Sequence, residues 1–286
     1  MKFMESMKVS FGYFVDWLGK AKNKKIVVMI AVILVLIIGI RVFDRIKIEN
    51  VKNTPKTSAV NNEKAKANAN AESNNSIIEK PKVLDQYQEY AEKNKDLIGW
   101  IKIPDTKIDG PVMFTKEDEN FYLNKDFEKK DSQNGSFIMD SDAIVGSGTR
   151  KTDYLDGTKP STNLIIHGHN MKSGEMFGEL ELYKDRVYGL QHGVIYFDSL
   201  YEEREYELIA AFFTKVYLEE EDVFKYYQFF QANTQAEFDD FYKNIKMLSI
   251  YDTGVEASYK DEFITLSTCS YQEDEGRFVV IAKRRK

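Results

Sequence analysis

The chain has 286 residues, with 40 Lys and Arg against 46 Asp and Glu, 43% hydrophobic side chains and a single Cys. A formal charge of −6 argues against a protein that coats nucleic acid, because phosphate binding requires clustered Lys and Arg in excess. One Cys excludes an internal disulfide framework and any multi-Cys zinc or iron–sulfur site.

The charge is spread unevenly. Residues 1–25 hold Lys2, Lys8, Lys20, Lys22, Lys24 and Lys25 against Glu5 and Asp16, and they abut the uncharged apolar run Ile26–Ile40. That run makes roughly 22 Å of helix, short of a ~30 Å hydrocarbon core. Val42 and Phe43 extend it, and Lys25 and Arg41 can snorkel to the interfaces. The sequence therefore predicts a cytoplasmic segment over 1–25 and a single-pass transmembrane anchor over 26–43, with the remainder extracellular. A cleaved signal peptide has an apolar core of similar length, but Arg41–Arg45 offers no small-x-small cleavage site. In residues 52–76, rich in Asn, Ala, Ser and Lys, Val60 is the only apolar side chain larger than Ala. Such a stretch cannot offset its ordering entropy by burial, so 44–80 is expected to be a flexible tether. An Ala-rich helix is the competing reading, weakened by the interspersed Asn and Ser.

From Pro81 to Lys286 the composition is globular, which predicts one domain over 81–286. Pro81–Leu97 opens with Pro and places Leu84, Tyr87, Tyr90 and Ala91 on one helical face. Short β-branched and aromatic runs follow at Gly99–Ile103, Gly135–Asp140, Asn163–His167, Gly193–Phe197, Tyr206–Thr214, Phe263–Cys269 and Arg277–Lys283. At least seven strands in about 200 residues predict a mainly β protein whose sheet closes on itself. Gln235–Ser249 interrupts them with a helical pattern of Phe238, Phe241, Tyr242, Ile245 and Leu248.

Chemistry has few candidates. Cys269 ends one predicted strand and, after the loop Ser270–Gly276, Arg277 begins the next. An antiparallel hairpin would set Arg277 across from Cys269, where a guanidinium favours the thiolate and offers donors to an oxyanion. The plain alternative is a small buried Cys and a solvated Arg. Of the three His, His167 and His169 flank Gly168 at a strand end, positioned to reach a neighbouring strand's thiol; His192 fits a turn. A Cys with a His elsewhere in the chain is the pattern of a nucleophile and its acid/base partner. A metal site on the His pair lacks matching Cys or carboxylate spacing. The acidic clusters Glu219–Asp222 and Glu273–Glu275 read as solvated loops, with calcium binding as the alternative. The second cluster lies between Cys269 and Arg277 and would bias that region toward cationic groups.

Taken together, Thr265–Cys269, Gly276–Val280, Gly168–Met171 and Met176–Gly178 resemble the motifs of the sortase transpeptidases. Leu266-Ser267-Thr268-Cys269 and His169-Asn170-Met171 point to class B. Ile98–Pro104, Tyr122–Asn124 and Gly135–Asp140 extend the likeness, which covers roughly residues 81–286, and the helix Gln235–Ser249 matches one that class B members carry before the Cys strand. His167 departs from the Tyr usual in the class. The resemblance implies an eight-stranded β-barrel with an N-terminal helix, and a two-step reaction without a cofactor. Cys269 would attack the Thr carbonyl of a sorting signal on a secreted protein, His169 would protonate the leaving amine, and Arg277 would hold the oxyanion. Ser267 and Thr268 would contact substrate. A lipid-linked peptidoglycan precursor would supply the accepting amine, close to the membrane. Two other classes remain: a secreted cysteine hydrolase with the same Cys and His, and an anchored binding protein in which Cys269 is incidental.

Overall fold

The computed structural model describes residues 81–150 and 157–286. Eight strands close into a barrel: β1 (Leu97–Lys102), β2 (Asp109–Met113), β3 (Phe137–Met139), β4 (Asn163–His167), β5 (Val194–Ser199), β6 (Glu205–Lys215), β7 (Phe263–Cys269) and β8 (Gly276–Arg284). The order around the ring is β1-β2-β3-β4-β7-β8-β6-β5, and β5 pairs with β1 to close it. Only β2–β3 and β4–β7 are parallel. The helices among the described residues are α1 (Gln88–Lys93), α2 (Arg186–Gln191), α3 (Gln235–Leu248) and four short 3-10 turns.

Strand alternation divides the side chains between two environments. Leu164, Ile166, Ile264, Leu266, Phe278, Val280 and Ala282 fill the barrel interior with Ile101, Val112, Phe197 and Leu208. The intervening residues of β7 and β8 face outward, where Phe263, Val279 and Ile281 are buried under α3. That helix begins in a capping box: the Thr234 hydroxyl accepts from the Glu237 N–H, and the Glu237 carboxylate accepts from the Thr234 N–H. It buries Phe238, Phe241 and Ile245. Phe241 stacks on Phe229 with ring centroids 3.9 Å apart, and Phe238 stacks on Phe263 at 5.4 Å. The covering stops short of the β7 C-terminus, leaving Ser267, Cys269 and Arg277 to face a cleft.

Two elements differ from the sequence expectation. The N-terminal helix is shorter than Pro81–Leu97, beginning as a 3-10 turn at Asp85 and ending at Lys93. Asn94 leaves helical geometry, and its buried amide donates to the Tyr122 hydroxyl and the Phe127 carbonyl. The eighth strand, β2, was hidden by Gly110 and Pro111, both poor strand formers. Pro111 stands opposite Trp100 of β1, while β3 pairs only with Val112 and Met113.

The expected single-pass membrane localisation is corrected. Among the described residues no helix is long and apolar enough to cross a membrane. The segments 1–25, 26–43 and 44–80, read as cytoplasmic leader, anchor and tether, lie outside the described residues.

The aromatic packing under α3 generates a stability prediction. Phe241→Ala should lower the unfolding free energy by about 3–5 kcal/mol, and Thr234→Ala by only about 1 kcal/mol. Urea titration of the two variants followed by tryptophan fluorescence measures both.

Candidate active site

The outward row of β7 carries Thr265, Ser267 and Cys269, and Cys269 is the exposed member. Its register partner on β8 is Arg277, as the hairpin argument requires. On the other side β7 runs parallel to β4, which sets His167 beside Ser267. The chain then turns at Gly168 and brings His169 to the same opening. Cys269, His169, Arg277, Ser267 and Thr268 all line one cleft of about 480 Å³, together with His167, Asp140, Tyr226 and Leu123. The five residues singled out in the sequence thus come together.

Hydrogen bonds stitch the His segment to the Cys strand. The Gly168 N–H donates to the Ser267 carbonyl at 3.2 Å, and the Thr268 hydroxyl donates to the Gly168 carbonyl at 2.7 Å. The Asn170 amide donates to the Cys269 carbonyl at 2.8 Å. Gly168 has no room for a side chain: a Cβ there would lie 2.7 Å from a Phe177 ring carbon and 3.1 Å from Phe137. The His169 Nε2 lies 2.8 Å from the Leu123 carbonyl. A carbonyl oxygen can only accept, so Nε2 carries a proton and Nδ1 is the nitrogen left for proton exchange.

The Ser270 N–H, next to Cys269, is engaged by the Gly276 carbonyl at 2.9 Å. Arg277, opposite Cys269 on β8, brings a cationic fork to the same cleft. One of its terminal nitrogens donates to the Gly276 carbonyl at 2.9 Å and the Glu275 carbonyl at 3.2 Å, and the other lies 3.6 Å from the Glu275 carboxylate. The guanidinium is therefore held at the cleft wall by the acidic loop rather than by the thiol.

Beneath the peptide-sized opening, Ser267 is buried and its hydroxyl shares a hydrogen bond of 2.7 Å with the Tyr226 phenol. Burial pushes the Tyr226 phenol up to about 12, so it stays neutral. His167 Nε2 lies 3.0 Å from the Asp140 carboxylate. His192 sits apart, at the end of α2, stacked on Tyr188 with its Nδ1 2.9 Å from the Tyr188 carbonyl. Among the described residues no group of three or more His, Cys, Asp or Glu is gathered to hold a metal ion. Sequence reasoning missed Leu123, Asp140, Tyr226 and the anchoring amide of Asn170. Asn170, Leu123 and Asp140 lie in segments that carry the resemblance, His169–Met171, Tyr122–Asn124 and Gly135–Asp140, but with no site role attached to them; Tyr226 carries no signal and arrives through long-range pairing.

Gly168→Ala should therefore destabilise the protein by about 1–3 kcal/mol through overpacking against Phe177, and urea unfolding will register it.

No family model matches the chain. Over 203 residues it is 32% identical to sortase B of Listeria monocytogenes, covering 70% of this chain and 74% of that protein. A Staphylococcus aureus sortase B–substrate complex superposes with a TM-score of 0.59 at 29% identity, covering 71% of this chain and 86% of that one. Sortase B from Bacillus anthracis gives a TM-score of 0.59 at 28% identity over 73% and 88% of the two chains. A barrel of matching architecture, a thiol paired across a hairpin with an arginine, and a relative at this identity over most of its length lead to one assignment: the chain belongs to the sortase B family of transpeptidases.

Proposed function

We propose that the protein cleaves a sorting signal after Thr and joins the Thr carbonyl to an amino group of a cell-wall precursor, through a thioester on Cys269. The observation that carries this reading is the juxtaposition of the exposed thiol with Arg277 in one cleft that His169 also lines. In the first step the Cys269 sulfur forms a bond to the Thr carbonyl carbon and the scissile C–N bond breaks. His169 takes the Cys269 thiol proton on Nδ1 and gives it to the departing amine, while the Leu123 carbonyl holds the Nε2–H. Arg277 donates to the tetrahedral oxyanion, a role favoured by the prior engagement of the Ser270 N–H. In the second step the acceptor amine attacks the thioester, the C–S bond breaks, and the amine's proton returns to the imidazole. Ser267 and Thr268, bonded to Tyr226 and Gly168, form a rigid floor for the peptide. The Staphylococcus aureus sortase B solved as a substrate complex supports reading the cleft as a substrate site.

The test is to incubate the full chain with a library of Thr-containing signal peptides and a nucleophilic amine, then to identify products by mass spectrometry. A product in which the Thr carbonyl is joined to the amine is expected. Release of the free acid at a rate indifferent to amine would make the protein a hydrolase, and no cleavage at all would make it a binder. Cys269→Ala should form no acyl-enzyme while unfolding at the same urea concentration, since a small side chain at a strand end contributes little to stability. His169→Ala should lower the acylation rate by about a hundredfold or more.

A further inference from the structure

The loop after β4 carries His169, and two distant parts of the fold hold it. One edge is sewn to β7 by the bonds of Gly168, Thr268 and Asn170. Beyond Asn170 the chain doubles back on itself: Asn170 bridges to Met176, and the Phe177 N–H donates to the His169 carbonyl at 2.9 Å. Met176 takes a φ of +52°, a left-handed value that residues other than Gly rarely adopt, and its side chain packs on the barrel core. The surrounding fold therefore imposes this return on the chain.

The other edge reaches past β3 to the turn between β1 and β2, where Lys107 grips it twice. The Lys107 backbone N–H donates to the Glu179 carboxylate at 2.9 Å, and its ammonium donates to the Ser173 carbonyl at 2.7 Å. The Glu175 carboxylate adds a third tie, accepting from the Asn134 amide and from the Ser173 hydroxyl, each at 3.0 Å. The fit is close: a Cβ on Gly174 would lie 3.3 Å from the Glu179 carboxylate and 3.6 Å from Lys107 Cδ. The turn itself is rigid, because Ile103 and Ile108 are buried in the barrel interior and the Ile103 N–H donates to the Ile108 carbonyl at 2.8 Å.

A strip held along one edge can tilt; held along two, it cannot. Resting on the proposed transpeptidase reading, we infer that Lys107 and Glu179 are positioning residues, which hold the His169 imidazole where it can exchange a proton with Cys269 and the departing amine. Neither side chain lines the cleft of Cys269, so neither meets a peptide lodged there. Their effect passes through His169 and leaves peptide binding alone. Misplacing an acid/base group by about 1 Å slows its step by on the order of a hundredfold, and freeing one edge of the loop, with the other still sewn to β7, displaces it by less.

The test uses the full chain and one signal peptide that the wild type cleaves, with acyl-enzyme formation followed by intact mass over a range of peptide concentrations. Lys107→Met keeps an apolar stem at an exposed position and removes the ammonium. Glu179→Leu removes the acceptor, whereas Glu179→Gln keeps an oxygen that can accept from the Lys107 N–H. Lys107→Met and Glu179→Leu should each lower the saturating acylation rate by on the order of tenfold at an unchanged half-saturating peptide concentration, and Glu179→Gln should retain the wild-type rate. Combined with His169→Ala, the same two substitutions should cost nothing further, since no imidazole is left to place. Wild-type rates in both variants, or equal losses with and without His169, would overturn the inference and leave the transpeptidase reading intact. A wild type whose thiol reacts with a methanethiosulfonate reagent yet forms no acyl-enzyme with any signal peptide would overturn the parent reading and this one with it.

Discussion

Strands β7 and β8 are paired through seven residue pairs, from Phe263 opposite Lys283 to Cys269 opposite Arg277, and that register governs the rest of the site. A slip of one residue would turn every side chain of β7 to the other face. Cys269 would then point into the mouth of the barrel, and Leu266 would move out of the apolar interior. The register is fixed from both sides at once: Leu266 and Val280 fill the barrel, while Phe263, Val279 and Ile281 are buried beneath α3. Core packing at one end of the hairpin thus sets the thiol and guanidinium opposite each other at the other end. This is how a buried apolar pattern specifies an exposed polar constellation.

The second constraint is the parallel pairing of β4 with β7. It puts the end of β4 beside the end of β7, so a loop of two residues suffices to bring His169 to the cleft. Backbone and side-chain bonds from Gly168, Thr268 and Asn170 then hold that loop to the Cys strand. Because Gly168 meets Phe177 so closely, the loop has little freedom to drift from this position. Such preorganisation lets an acid/base group act without paying again for its own ordering at each turnover.

Much of this was legible in the sequence. Asn163–His167 and Phe263–Cys269 read as strands because their alternating β-branched and apolar residues leave no other pattern, and their boundaries coincide with the folded strands. The Cys269–Arg277 pairing followed from a short loop between two strands. The strand β2 was not legible, since Gly110 and Pro111 erase the local signal and only pairing with β1 and the short β3 supports it. The N-terminal helix was overextended because periodicity cannot foresee that Asn94 is drawn away by Tyr122 and Phe127. The membrane expectation rested on residues 26–43, whereas the described residues contain no membrane-spanning helix. The site roles of Asp140 and Tyr226 escaped notice for a common reason: their partners His167 and Ser267 are 27 and 41 residues away in the chain.

The central claim is that Arg277, placed by the β7–β8 register, donates to the oxyanion on the way to the thioester. A guanidinium offers a planar fork that can reach substrate and oxyanion together, whereas an ammonium offers a point charge. Rapid-quench measurement of acyl-enzyme formation by the wild type and Arg277→Lys, with one signal peptide and intact-mass detection, tests it most directly. The account predicts acylation slower by about a hundredfold or more in the Lys variant. Near-equal rates would contradict it, reducing Arg277 to a background charge that merely favours the thiolate.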